Sequence, residues 1–211
     1  MLQCLTKGRD NLNYSTVNFE DILKILRYNG TVLGRSLEFT RKFTNGWYCA
    51  LKETWTSYFE EIKNTDFPHA FQKPLHLGQT TIWFTINVDS FQNERPERIM
   101  QMRKTDFVGD SASTIFEKAG GKSHSHGAIM MMPWPMDSKY LVVDGNHRVN
   151  DFLNNERKVL DAYLYSFQSS RKAFATHFEE AFYCYAFECT SSFCEADEAA
   201  LLSGSLANEF L

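Results

Sequence analysis

Apolar residues recur three and four apart in the first quarter of the chain and two apart further on, so the pattern predicts helices first and strands afterwards. Phe19, Ile22, Leu23, Ile25 and Leu26 make one helical face, with Asn18 as N-cap, Asp21 in the first turn and Asn29-Gly30 as the stop. A second helical face is expected after Thr44-Asn45-Gly46, where Tyr48, Leu51, Trp55, Tyr58, Phe59 and Ile62 share a side opposite Lys52, Glu53, Glu60 and Glu61. Aromatic rings at this spacing read as core. Over Thr81–Val88 the period shortens to two, with Ile82, Phe84, Ile86 and Val88 alternating with mostly polar residues, and this predicts a strand. Pro96 opens an expected short helix to Lys104, and another is expected over Ser111–Ala119, ended by Gly120-Gly121. Ala128–Met132 reads as a strand stopped by Pro133-Trp134-Pro135.

The segment from Lys139 carries the most information. Tyr140-Leu141-Val142-Val143 is apolar on both faces, as an interior strand would be. Asp144-Gly145 breaks it, Val149, Phe152 and Leu153 give a brief helical face closed by Asn154-Asn155, and Val159–Tyr165 resumes as a strand. The result is a β-turn-α-β unit, followed by an aromatic helix over Phe174–Phe187 and a mixed acidic and apolar tail. With no repeat and no clear linker, the expected architecture is one α+β globular unit: a helical extension over 1–79, a small mixed sheet over 80–167, and a C-terminal helix and tail over 168–211.

Composition narrows the function classes. At 211 residues, with 43% hydrophobic and 23% charged residues, the chain can bury a core and is not of the disordered class. Its net charge of −4 has the wrong sign for a surface that grips nucleic acid throughout, so any phosphate site must be local. The absence of a long apolar run, and a start at Met1–Gly8 unlike a secretory leader, lead to the expectation of a soluble, cytoplasmic protein with no membrane partner. Five cysteines cannot all pair within the chain. Cys184, Cys189 and Cys194 stand five apart, a helical step of about 140°, so they diverge around a helix and are expected as buried thiols.

The candidate site is Asp144-Gly145-Asn146-His147-Arg148. A strand that turns through glycine directly into a helix gathers unpaired backbone N–H groups at the positive end of the helix dipole, where anions bind. His147 and Arg148 would add side-chain donors, Arg148 with a planar fork suited to phosphate. A competing reading has Asp144 capping the helix and pairing with Arg148, with no ligand.

The run Lys139–Val149, with Asp144-Gly145-Asn146-His147-Arg148 at its centre, resembles the Asp-Gly-x-His-Arg signature of the ParB/sulfiredoxin-like superfamily. Its flanks also resemble that fold, with a strand from Gly127-Ala128-Ile129-Met130 before it and Arg157–Tyr163 after it, over about Thr80 to Phe167. The resemblance implies a nucleotide (ATP, ADP or CTP), with Mg²⁺, or a similar phosphate-bearing small molecule held at Gly145, Asn146, His147 and Arg148. Asp144 and His147 are then the groups for proton transfer or Mg²⁺ in a phosphoryl transfer or hydrolysis. Asn146 stands where sulfiredoxins carry their reactive cysteine, so sulfinic acid repair is not implied. Asn146 and His147 replace the Glu and first Arg of the partition-protein motif, and the chain after Phe167 carries no clear DNA-reading module. A DNA-associated or nuclease-type protein and a non-catalytic scaffold remain the alternatives.

Other residues carry weaker signals. Arg95 and Arg98 stand where the superfamily often places a phosphate-reaching base, although Glu94 and Glu97 could neutralise them on a solvated face. Lys122-Ser123 lacks the upstream glycine of a P-loop, since Phe116 occupies that position. His124-x-His126 has alternate spacing for a metal but no evident third ligand, so no metal site is expected. His69 and His76, beside Pro68 and Pro74, read as loop residues.

Overall fold

The computed structural model describes residues 12–32, 34–118, 127–190 and 197–211. In chain order its elements are helices α1 (Phe19–Val32), α2 (Leu37–Trp55) and α3 (Tyr58–Asn64), and strands β1 (Ala70–Leu77), β2 (Thr80–Asn87), β3 (Arg98–Met102), β4 (Thr114–Ile115), β5 (Ile129–Trp134) and β6 (Lys139–Asp144). Helix α4 (Asn146–Leu153), strand β7 (Leu160–Leu164) and helices α5 (Phe167–Arg171), α6 (His177–Thr190) and α7 (Glu198–Ser203) complete them. The class is mixed α+β, but the chain forms two compact units, Met1–Ile86 with Phe174–Leu211 and, separately, Asn87–Ala173. No described helix is long and apolar enough to cross a membrane.

The first unit is built on aromatic packing. Asn18 caps α1 by accepting the Glu20 N–H at 3.0 Å, but the helix runs past Asn29-Gly30, and Asn29 Nδ2 donates to the Tyr185 hydroxyl at 2.7 Å. The second helix starts earlier than its turn-like Thr44-Asn45-Gly46 suggests. Ser36 caps it by accepting the Phe39 N–H, and Phe39 and Phe43 extend the buried stripe upstream. Thr44 is buried inside α2, and Gly46 is a mid-helix residue. Trp55 stacks on Tyr58 with ring centroids 4.6 Å apart and meets Phe178 edge-on at 4.8 Å.

Two carboxyl groups lie within this apolar setting. Glu188 accepts from the Trp47 indole at 2.8 Å, the Ser205 hydroxyl at 3.0 Å and the Leu206 N–H at 2.5 Å, tying the C-terminal segment to α2 and α6. Glu179 is fully buried and accepts the Thr85 N–H at 2.8 Å, while its Oε1 has no hydrogen-bond partner. Burial pushes both carboxyls above the usual range. Along α6, Cys184 is buried, and burial pushes the Cys189 thiol up to about 12, so Cys189 is not a reactive thiolate at neutral pH; Cys194 lies outside the described residues.

The strand expected over Thr81–Val88 is β2, but it pairs with β1 in a two-stranded sheet and takes no part in the larger one. That hairpin places His76 within β1, with Nδ1 3.1 Å from Thr81 Oγ1.

The second unit is a five-stranded mixed sheet in the order β3-β7-β5-β6-β4. Strand β5 is antiparallel to β6 and parallel to β7, β3 is antiparallel to β7, and β4 is parallel to β6. Two segments expected as helices contain strands instead, and Ala119, at the end of the second, lies outside the described residues. Pro96 precedes β3, whose Ile99 and Met100 register with Tyr163 and Ala162, and Ser111–Ala119 contains the short β4. Both form because a distant strand supplies their hydrogen bonds, an influence outside any local window. Pro133 is accommodated within β5: it lies opposite Tyr140 of β6, beyond the last β7 pairing at Met131, so its missing N–H interrupts no ladder on that side.

Helix α4 packs Val149 and Phe152 into the cluster formed by Ile129, Met131, Val142 and Ala162. Its C-terminal end is closed by Lys104, whose ammonium donates to the Leu153 carbonyl at 3.1 Å and to the Asn155 carbonyl, with the Phe152 ring beneath it at 5.7 Å. A positive charge there also complements the helix dipole. Lys104→Met should therefore lower stability by about 1–2 kcal/mol, read as a shift in the urea midpoint at constant slope; an unchanged midpoint would show that the cap contributes nothing.

Candidate functional site

The turn between β6 and α4 is set by Gly145, whose φ of 95° and ψ of 19° lie in the left-handed region that residues with side chains rarely adopt. A β-carbon at Gly145 would stand 2.7 Å from Ile129 Cγ2, 2.8 Å from Arg148 Nε and 2.9 Å from Arg148 Nη2. Glycine is required here for conformation and for space.

Gly145 is the N-cap residue, and no side chain caps the helix. The first intrahelical bond runs from the Val149 N–H to the Gly145 carbonyl at 3.0 Å, so the N–H groups of Asn146, His147 and Arg148 precede the helical ladder. Asp144 does not supply the cap that one reading of the sequence expected. Its carboxylate instead accepts from Arg148 Nη2 at 2.5 Å, with the Arg148 side chain 14% exposed and that of Asp144 44% exposed. The pairing half of that reading is present; the capping half is corrected. The pair brings the turn's side-chain charge close to zero and leaves the helix dipole as its residual field.

The remaining residues divide by role. Asn146 is structural: its Oδ1 accepts the Glu117 N–H at 2.8 Å and its Nδ2 donates to the Val142 carbonyl at 3.4 Å, fixing the chain after β4 beside the turn. Gly127, just before β5, lies under the guanidinium, since a β-carbon there would stand 2.9 Å from Arg148 Nη1. His147 is exposed on the first turn of α4. Arg95 is exposed in the chain before β3, and Arg98 begins β3, separated from β6 by β7 and β5. Three strand spacings make about 14 Å of backbone separation between β3 and β6, and Arg98 is exposed.

The roles of Gly127 and Asn146 were the least legible, because each depends on a contact across the fold. Asn146→Ala should cost about 1 kcal/mol through loss of the Glu117 bond; amide hydrogen exchange should accelerate at Glu117, and unchanged exchange there would contradict the assigned contact. Gly120, Gly121, Lys122, Ser123, His124 and His126 lie outside the described residues, and among the described residues no group of three His, Cys, Asp or Glu side chains could hold a metal ion.

No family model matches the chain, nor does any curated protein or solved structure. The resemblance to the ParB/sulfiredoxin-like superfamily thus rests on the residues of Lys139–Val149 and their flanks.

Proposed function

We propose that the β6–α4 turn binds the phosphate of a nucleotide or of a similar small molecule, in the manner the ParB/sulfiredoxin-like resemblance implies. The observation that carries this reading is the uncapped start of α4, where a left-handed glycine turns three N–H groups ahead of the helical ladder and the adjacent Asp144 charge is offset by Arg148. Phosphate oxygens would take the backbone donors. His147, exposed beside them, is the group available for proton transfer, and Asp144 is the carboxylate available to Mg²⁺ when a metal nucleotide binds. Phosphoryl transfer or hydrolysis is the chemistry this set could serve.

In this arrangement Arg148 acts first by neutralising Asp144. Titration calorimetry with ATP, ADP and CTP, each with and without Mg²⁺, should detect binding by the wild-type chain. Arg148→Ala should weaken it by roughly ten- to a hundredfold, because the mutation leaves an uncompensated carboxylate beside the anion. The double variant Asp144→Asn with Arg148→Ala should recover much of that loss in the absence of Mg²⁺. Binding that survives Arg148→Ala unchanged, in a protein whose melting shows it folded, would place the ligand elsewhere.

A further inference from the structure

The two edges of the five-stranded sheet are not alike. Strand β4 is two residues long, too short to template another strand, and it closes the edge beside β6. At the other edge β3 runs for five residues with β7 as its sheet neighbour, with no proline or bulge in its register, and Arg98, Ile99 and Gln101 are exposed. Ile99 is 69% exposed, and its cross-strand partner Tyr163 is 37% exposed. An apolar pair beside a regular edge that no described strand covers is a surface suited to strand addition.

The sequence of this edge identifies the strand that would fit it. When β3 is laid antiparallel against a second β3 about Met100, Ile99 faces Gln101, Arg98 faces Met102, and Met100 faces its own copy. Immediately outside the strand, Glu97 comes opposite Arg103, and the two-fold symmetry repeats this pair at the other end. Both residues are exposed, Glu97 at a bend directly before the strand and Arg103 in extended backbone directly after it. On the Ile99 face the two Ile99 side chains become diagonal neighbours across the axis. On the other face Met100, which already packs against the sheet's hydrophobic cluster, meets Met100 of the second copy.

The geometry points to β3 as a self-recognition edge, through which two copies of this chain join their five-stranded sheets into one continuous antiparallel ladder. Ion pairs at both ends set the register, and the isoleucine and methionine contacts at the axis exclude water. The proposal is independent of whether the β6–α4 turn binds phosphate.

Sedimentation equilibrium of the full chain tests it. The wild-type protein should show a reversible monomer–dimer equilibrium that weakens with salt. Ile99→Lys should weaken dimerisation by at least about tenfold, since it sets two ammonium groups beside the axis. Glu97→Arg alone and Arg103→Glu alone should each weaken it by about tenfold by creating two like-charged pairs. An equimolar mixture of these two variants should dimerise again, because every facing pair in the mixed dimer is then of opposite charge. Circular dichroism confirms that each variant is folded. A wild-type chain that stays monomeric at all accessible concentrations, a dimer indifferent to the charge reversals, or variants that fail to rescue one another on mixing would each overturn the assignment.

Discussion

Gly145→Ala should destabilise the unit over 87–173 by about 3 kcal/mol or more and remove any affinity of the turn for anions. Two costs combine. A residue with a β-carbon is strained at φ 95°, by roughly 1–2 kcal/mol. The same β-carbon would stand 2.7 Å from Ile129 Cγ2 and 2.8 Å from Arg148 Nε, and overpacking of this kind costs about 1–3 kcal/mol. The Ile129 side chain belongs to the core beneath α4 and has little room to yield, whereas the guanidinium could swing away only by leaving Asp144 unpaired. Urea denaturation followed by circular dichroism measures the loss. A variant with wild-type stability would mean that the turn does not hold the left-handed conformation from which the N–H groups are argued to converge.

The second large effect concerns Glu179. Its carboxyl is fully buried, and desolvation raises it well above the usual value despite the hydrogen bond from Thr85. The folded state then holds a proton that the unfolded chain releases near pH 4.5, so the unfolded state binds fewer protons above that pH and stability falls as pH rises toward the folded-state value. Below pH 4.5 both states are protonated and the penalty is absent. Glu188, also raised, acts in the same sense. Glu179→Gln keeps an acceptor for the Thr85 N–H and cannot ionise, so it should flatten the decline of stability between mildly acidic and neutral pH. Glu179→Leu should cost about 2–3 kcal/mol at acidic pH, because it strands the buried Thr85 N–H. Thermal melting of the three proteins across pH checks both statements; a wild-type pH profile retained by Glu179→Gln would place the titration on another group.

These two residues mark the range of what could be read before the fold was known. The strand, turn and helix around Gly145 were legible because their signals are local: an apolar run, an Asp-Gly break and a short apolar face follow one another within fifteen residues of chain. Glu179 gave no such signal. An acidic residue at the start of an aromatic helix reads as part of a solvated first turn, and only the arrival of the β2 backbone at its carboxyl makes it an interior group.

The same distinction separates the other elements. Strand β3 follows Pro96, a residue equally suited to opening a helix, and becomes a strand through pairing with β7 some sixty residues away. Strand β4 has two residues and no pattern of its own; β6 defines it. Thr44-Asn45-Gly46 carries turn chemistry, yet Phe39 and Phe43 bury the same helical face on its N-terminal side, and packing outweighs the propensity of three residues. At the site, the Asp144–Arg148 pair could be anticipated from i,i+4 spacing, whereas the use of Asn146 to hold Glu117, and the three strand spacings between β3 and β6, depend on the fold.

The claim on which the functional reading depends is that the first amides of α4 receive an anion. Titrating the ¹⁵N-labelled chain with inorganic phosphate and then with ADP, while following its amide resonances, tests it at the atoms concerned. Saturable shifts concentrated at Gly145, Asn146, His147 and Arg148, and abolished by Gly145→Ala, are the predicted result. Amides of this turn that stay unmoved while the ligand binds elsewhere, or that do not respond to any phosphate compound at saturating concentration, would contradict it.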